Sequence, residues 1–90
     1  MRKIIFSPNA IGDLQRFGHG NQKLVFKIFD VISNIQNDPF KGVGKPEPLK
    51  GDLKGYWSRR INKKDRLIYF IENEVVTVTI VSAIGHYNDR

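Results

Sequence analysis

Apolar residues recur along this chain in two rhythms, first helical and then alternating. The opening Met1-Arg2-Lys3-Ile4-Ile5-Phe6 closes on a short apolar run, and residues 2 to 6 read as a strand. Ser7 then Pro8 signals a helix start. The hydroxyl can cap the first turn, and proline there lacks only an N–H that has no helical partner anyway. Ile11, Leu14 and Phe17 give a short helical stripe. Gly18-His19-Gly20 ends it, because glycine readily takes the left-handed conformation of a C-cap. A second helix is predicted from about Asn21 to Gln36. Leu24, Ile28, Val31, Ile32 and Ile35 share one of its faces, with Val25 and Phe29 at the edge and Lys23 and Lys27 mainly outside. The join between the two is short, so they should form an antiparallel hairpin.

Asp38-Pro39 stops that helix, and a loop rich in Gly and Pro runs from Phe40 to Gly51. The rhythm then changes. Tyr56 to Ile61, Arg66 to Ile71 and Val75 to Ala83 are strand candidates, the last rich in Val, Thr and Ile. Asn62-Lys63-Lys64-Asp65 and Glu72-Asn73-Glu74 suit hairpin turns. The predicted order is β-α-α-β-β-β. It describes an α+β fold, one domain over residues 1–90, with an antiparallel sheet covered on one face by the helical hairpin.

Composition narrows the class. No apolar run approaches the roughly 18 residues of a membrane span. The basic start resembles a signal peptide, but its apolar part stops at Ser7-Pro8, too soon for one. The expected setting is the cytoplasm, with no membrane partner. There is no cysteine, so disulfides and thiolate metal sites are excluded. Fifteen Lys and Arg oppose nine Asp and Glu, and the net charge of +6 favours nucleic acid or an acidic protein as partner. Gly42-Val43-Gly44 has neither phosphate-cradling glycine pattern, and two histidines without grouped carboxylates make a poor metal site. No cofactor is expected.

Four groups could carry chemistry. Glu47 lies between Pro46 and Pro48, which stiffen its backbone, and Lys45 and Lys50 flank it. A carboxylate held in a defined place can act as a base; a surface glutamate in a basic loop is the competing reading. Trp57-Ser58-Arg59-Arg60 and Asp65-Arg66-Leu67-Ile68-Tyr69 place cations on strands. Alternation puts Arg66, Ile68 and Phe70 on one face and Leu67, Tyr69 and Ile71 on the other. Arg66 could grip a phosphate through its planar fork, or pair with Asp65 or Asp52. His86 and Tyr87 follow the last strand, where an imidazole can give a proton and a phenol can stack or donate. His19, in a glycine-flanked turn, reads as solvated. Glu, Arg and His together are what metal-free RNA cleavage needs: a base for the 2′-OH, a cation for the phosphorane and an acid for the leaving 5′-oxygen.

Gly44-Lys45-Pro46-Glu47-Pro48-Leu49-Lys50, then Leu53-x-Gly55-Tyr56-Trp57-Ser58-Arg59-Arg60-Ile61, then Asp65-Arg66-Leu67-Ile68-Tyr69, closely resemble the core of the YoeB (Txe) branch of the RelE toxin superfamily. Pro39-Phe40-x-Gly42-x-Gly44 and the terminal His86-Tyr87 fit the same pattern. Asn88-Asp89-Arg90 extend past the His-Tyr pair at which that pattern ends, and Ala83-Ile84-Gly85 is less polar than the pattern. The resemblance implies a RelE-like fold and an endoribonuclease that cuts mRNA in the ribosomal A site. It implies Glu47 as general base, Arg66 as phosphate stabiliser, His86 as general acid and Tyr87 as a shaping group. Lys45, Lys50, Trp57, Arg59 and Arg60 would hold RNA or ribosome. A neutralising YefM/Phd-type antitoxin and toxin homodimers are implied as well. Two other functions compete with this reading. A ParE-like gyrase inhibitor would share the fold without the catalytic set, and a non-catalytic RNA- or ribosome-binding module would need only the charge.

Overall fold

The computed structural model describes residues 2–83. Each helix begins where its capping chemistry dictates. Ser7 Oγ accepts the Ala10 N–H at 3.1 Å, opening α1 (Pro8–Gly18). Asn21 Oδ1 accepts the Leu24 N–H at 3.1 Å, opening α2 (Gln22–Asn37). Asn21 is therefore the cap of the second helix rather than its first residue. Gly20 takes the predicted left-handed turn, at φ +74°, and His19 beside it is exposed.

The strands are β1 (Lys3–Phe6), β2 (Glu47–Pro48), β3 (Trp57–Arg60), β4 (Asp65–Glu72) and β5 (Val75–Ala83). They form one sheet in the order β1-β5-β4-β3-β2. The β3–β4 turn is built by Asn62, whose Oδ1 accepts the N–H groups of Lys64 and Asp65, both at 2.8 Å. The β4–β5 turn uses Asn73 at φ +58°, a conformation asparagine tolerates better than most residues.

The sheet departs from the prediction in two ways. It is mixed rather than wholly antiparallel, because β1 pairs parallel to β5 in the register Lys3↔Val75 to Phe6↔Val78. The meander β2-β3-β4-β5 reverses three times and its last strand runs the same way as β1; the two helices carry the chain from β1 at one edge of the sheet to β2 at the other. Nothing in the local pattern of residues 2–6 encodes which strand they join. The second departure is β2 itself. Two residues carry no periodicity, yet Glu47 pairs with Ser58 and Pro48 with Trp57 at the sheet edge, where a proline is tolerated.

One face of the sheet takes the helices. Ala10, Ile28, Val31, Ile32 and Ile35 pack against Ile61, Leu67, Tyr69, Val76 and Val78, all buried. Burying such aliphatic side chains stabilises by about 1.5–3 kcal/mol each. Among the described residues no helix is long and apolar enough to cross a membrane.

Candidate functional site

Alternation along β3 divides its residues between two environments. Trp57, Arg59 and Ile61 turn to the helical side; Tyr56, Ser58 and Arg60 turn to the opposite side, the open side, which is exposed at Arg60 and buried at Ser58. Register carries the division across the sheet: Glu47 pairs with Ser58, Ser58 with Ile68, and Arg60 with Arg66. Tyr56 meets Phe70 edge-to-face at 5.3 Å on this same side. Glu47, Arg60 and Arg66 thus share the open face. Neighbouring strands lie about 4.8 Å apart and residues rise about 3.3 Å along each strand, so the Glu47 and Arg66 backbones are roughly 12 Å apart. A backbone separation of that size is one that a phosphodiester and two long side chains could span.

Glu47 is exposed, and its side chain makes no hydrogen bond or ion pair among the described residues. It lines, with Pro48, Leu49 and Lys50, a cleft of about 410 Å³. Lys45, at φ +50°, and Lys50 are also exposed. Arg60 is exposed and sits directly opposite half-buried Arg66, and like charges so placed repel unless an anion joins them. Arg66 Nη1 donates to the backbone carbonyls of Asn62 at 3.3 Å and Asp65 at 3.2 Å. These two bonds brace the guanidinium, while Nε and Nη2 have no partner among the described residues. The salt-bridge alternative for Arg66 does not materialise there: the Asp65 carboxylate accepts from Asn62 Nδ2 at 2.9 Å instead. His86 and Tyr87 lie outside the described residues, as do Asn88, Asp89 and Arg90.

Arg59 requires a correction. It was expected to hold RNA or ribosome beside Arg60, but it is 0% exposed. All five of its N–H donors are used. Nε donates to Tyr69 Oη at 3.1 Å, Nη1 to Asn34 Oδ1 at 2.5 Å and Val43 O at 2.9 Å, and Nη2 to Asp38 O at 2.6 Å and Lys41 O at 3.1 Å. A guanidinium with every donor committed has none left for a ligand. Trp57 also faces the helical side, half-buried against the core and edge-to-face with Phe40 at 5.2 Å, away from Glu47. Strand alternation, applied to Trp57–Arg60 as it was to Arg66–Ile71, is the signal that separates Arg59 from Arg60.

The chain segment around Arg59 follows from this placement. Tyr69 Oη donates to Pro39 O at 2.7 Å while it accepts from Arg59. Burial raises the Tyr69 pKa above its ordinary 10.0, against the lowering effect of the Arg59 hydrogen bond and charge. Asn34 Oδ1 also accepts the Val43 N–H at 3.2 Å. Two glycines make the approach feasible. A Cβ on Gly42 would fall 1.9 Å from Asn34 Oδ1, and one on Gly44 would fall 2.6 Å from the Arg60 carbonyl oxygen.

The fold and these residues have clear relatives. Residues 6–87 match the model of the YoeB-like toxin of bacterial type II toxin–antitoxin systems. The "Toxin YoeB" of Mycobacterium bovis is 44% identical over 97% of this chain and 100% of its own length. Among solved structures, the YoeB–YefM complex from Staphylococcus aureus has a chain 37% identical to this one, with a TM-score of 0.82 over 91% of this chain and 95% of that one. The YoeB dimer from the same organism matches with a TM-score of 0.82 at 36% identity, over 90% of this chain and 94% of its own. With a match that runs nearly end to end, and with a RelE-like fold beneath it, the chain belongs to the YoeB-like toxin family of bacterial type II toxin–antitoxin systems.

Proposed function

We propose that this toxin is an endoribonuclease that cuts mRNA in the ribosomal A site by 2′-OH attack. The observation that carries the reading is the open face: an unpaired Glu47 at the sheet edge, across from an Arg60–Arg66 pair that has no carboxylate partner among the described residues.

Glu47 takes the proton from the 2′-OH, and that oxygen attacks the adjacent phosphorus. Charge builds on the phosphorane oxygens, where Arg66 supports it with a braced guanidinium and Arg60 adds a second cation. The bond to the 5′-oxygen breaks, and His86 gives that oxygen a proton. The 5′ fragment is left with a 2′,3′-cyclic phosphate. His86 is three residues past Ala83, and β5 ends with Ser82 and Ala83 paired to Arg66 and Asp65. Tyr87 would shape the site beside it. The groups needed are a carboxylate, a guanidinium and an imidazole, so the chemistry calls for no metal and no cofactor. Lys45 and Lys50 would hold the RNA backbone on the cleft side.

General acid and base contribute about 10²–10⁴ each, and a chain this small aligns an RNA poorly by itself, so the ribosome supplies the alignment. That task places the protein in the cytoplasm. Neutralisation follows from the same face. An acidic antitoxin segment of the YefM/Phd type, folding as it binds, would cover Arg60 and Arg66 or displace His86. The S. aureus relatives solved with YefM and as a dimer support an antitoxin partner and a homodimer for this chain.

Primer extension on an mRNA translated with the purified chain, followed by analysis of the new ends, tests the proposal. Cuts inside translated message, with a cyclic or 3′-phosphate on the upstream fragment, are expected. A free 3′-OH on that fragment would rule out 2′-OH attack. Intact message with ribosome binding would favour a binding module, and inhibited gyrase supercoiling would favour the ParE-like alternative.

A further inference from the structure

The segment Asp38–Gly44 folds inward around a buried cation. Backbone carbonyls at Asp38, Pro39, Lys41 and Val43 all point to two side chains, Arg59 and Tyr69, where a surface loop would ordinarily present them to water. Among the described residues no carboxylate pairs directly with Arg59; its hydrogen bonds go to carbonyl oxygens, the Asn34 amide and the Tyr69 hydroxyl. Three of these carbonyls accept charge-assisted bonds from Arg59, the stronger class of hydrogen bond, and the Pro39 carbonyl accepts the buried Tyr69 hydroxyl. The segment is then stitched to β3 at successive points: Arg60 N–H to Gly44 O at 2.6 Å, the Glu47↔Ser58 pair, and Leu49 N–H to Tyr56 O at 2.8 Å. The Glu47 side chain has no hydrogen bond or ion pair among the described residues to hold it. Its position is inherited from this segment and from the two prolines beside it.

We infer that Arg59 is a positioning residue for Glu47: its buried guanidinium is the template on which the Asp38–Gly44 segment folds, and that segment delivers the carboxylate to the sheet edge. The inference rests on Glu47 being the base. Lysine cannot replace this arginine, since an ammonium has three donors from one point where the fork supplies five in a plane. A carboxylate displaced by about 1 Å loses up to about 10² in rate, whereas affinity from Arg60, Arg66 and the lysines is untouched.

The test is a double-mutant cycle on the whole chain, with ribosomes programmed with a defined mRNA. Arg59→Lys, Glu47→Gln and the double variant are compared in single-turnover cleavage over a range of toxin concentrations. Melting temperature and amide exchange are measured alongside. Arg59→Lys should keep protection in β4 and β5 and lose it at Val43, Leu49 and Arg60. Its maximal rate should fall about tenfold to a hundredfold at unchanged half-saturation. In the Glu47→Gln background the same substitution should cost almost nothing, because it acts through a carboxylate no longer present. Asn34→Ala, which removes one acceptor and leaves the other four, carries the same cycle if Arg59→Lys does not fold. A loosened loop with a wild-type rate overturns the inference, as does an equal penalty in both backgrounds. Wild-type cleavage by Glu47→Gln alone would instead remove the base assignment beneath it, and that single variant identifies this failure separately.

Discussion

Arg59 and Arg60 are adjacent and chemically identical, and the sheet gives them opposite work. Arg59 turns to the helical side, loses all contact with water and spends its donors on a loop. Arg60 turns to the open side, stays exposed and faces Arg66. One position of strand alternation separates a residue that builds the molecule from one available to RNA. The division extends to Glu47 and Arg66, although Ser58 and Ile68 between them on the open side are buried. The helical side is satisfied, with apolar packing and a saturated guanidinium; the open side carries an unpaired carboxylate and two opposed cations. Stability and function are thus written on opposite faces, and substitutions should sort accordingly.

The largest effects expected are on rate, from the open face. His86→Gln should lower single-turnover cleavage by about 10²–10⁴, and Arg66→Ala by about 10²–10³, with binding to ribosomes retained. Arg66→Ala that fails only by unfolding would show that its bonds to Asn62 and Asp65 are its whole purpose. On the other face, Arg59→Ala should destabilise by at least about 3 kcal/mol, because it orphans several inward carbonyls at once. Urea denaturation measures this, and Arg60→Ala should stay within about 0.5 kcal/mol of wild type in the same assay. Equal losses for the two would erase the comparison.

A smaller effect is expected at Tyr69. Tyr69→Phe should cost about 1–3 kcal/mol, since Pro39 O and Arg59 Nε lose their partner together. Burial holds the Tyr69 pKa above 10.0 in the folded chain. The unfolded chain therefore ionises first, and the stability due to this group is complete below pH 10 and is lost as pH rises through the folded value. Melting temperature should fall with pH above that point in the wild type, and less steeply in Tyr69→Phe. The smallest effect is the salt dependence of ribosome or RNA binding. Arg60→Ala should flatten it by roughly the 0.7 expected for one contact to single-stranded RNA.

Most of the fold could be read from the sequence because its elements are periodic and punctuated. Ser7-Pro8, Asn21 and Asp38-Pro39 delimit the helices, and alternation delimits the strands of the meander. The partner of β1 was not legible, since pairing between residues 3–6 and 75–78 is a property of topology rather than local pattern. Nor was β2, which is too short to have a rhythm. Of the site, Glu47 stood out through its two prolines, and Arg66 through its place at the head of an apolar strand. The burial of Arg59 was not legible, because a basic pair in a basic protein suggests a surface. Its burial depends on acceptors contributed by Asn34, Tyr69 and three carbonyls between positions 38 and 43, which no single stretch of sequence brings together.

The central claim is that the open face, through Glu47, does the chemistry. The most direct test is single-turnover cleavage of ribosome-bound mRNA by Glu47→Gln, with affinity and melting temperature measured on the same preparation. Glu47 is exposed and unbonded, so the substitution should leave folding and binding unchanged while the rate falls by about 10²–10⁴. A folded, ribosome-bound Glu47→Gln chain that cuts at the wild-type rate would contradict the claim.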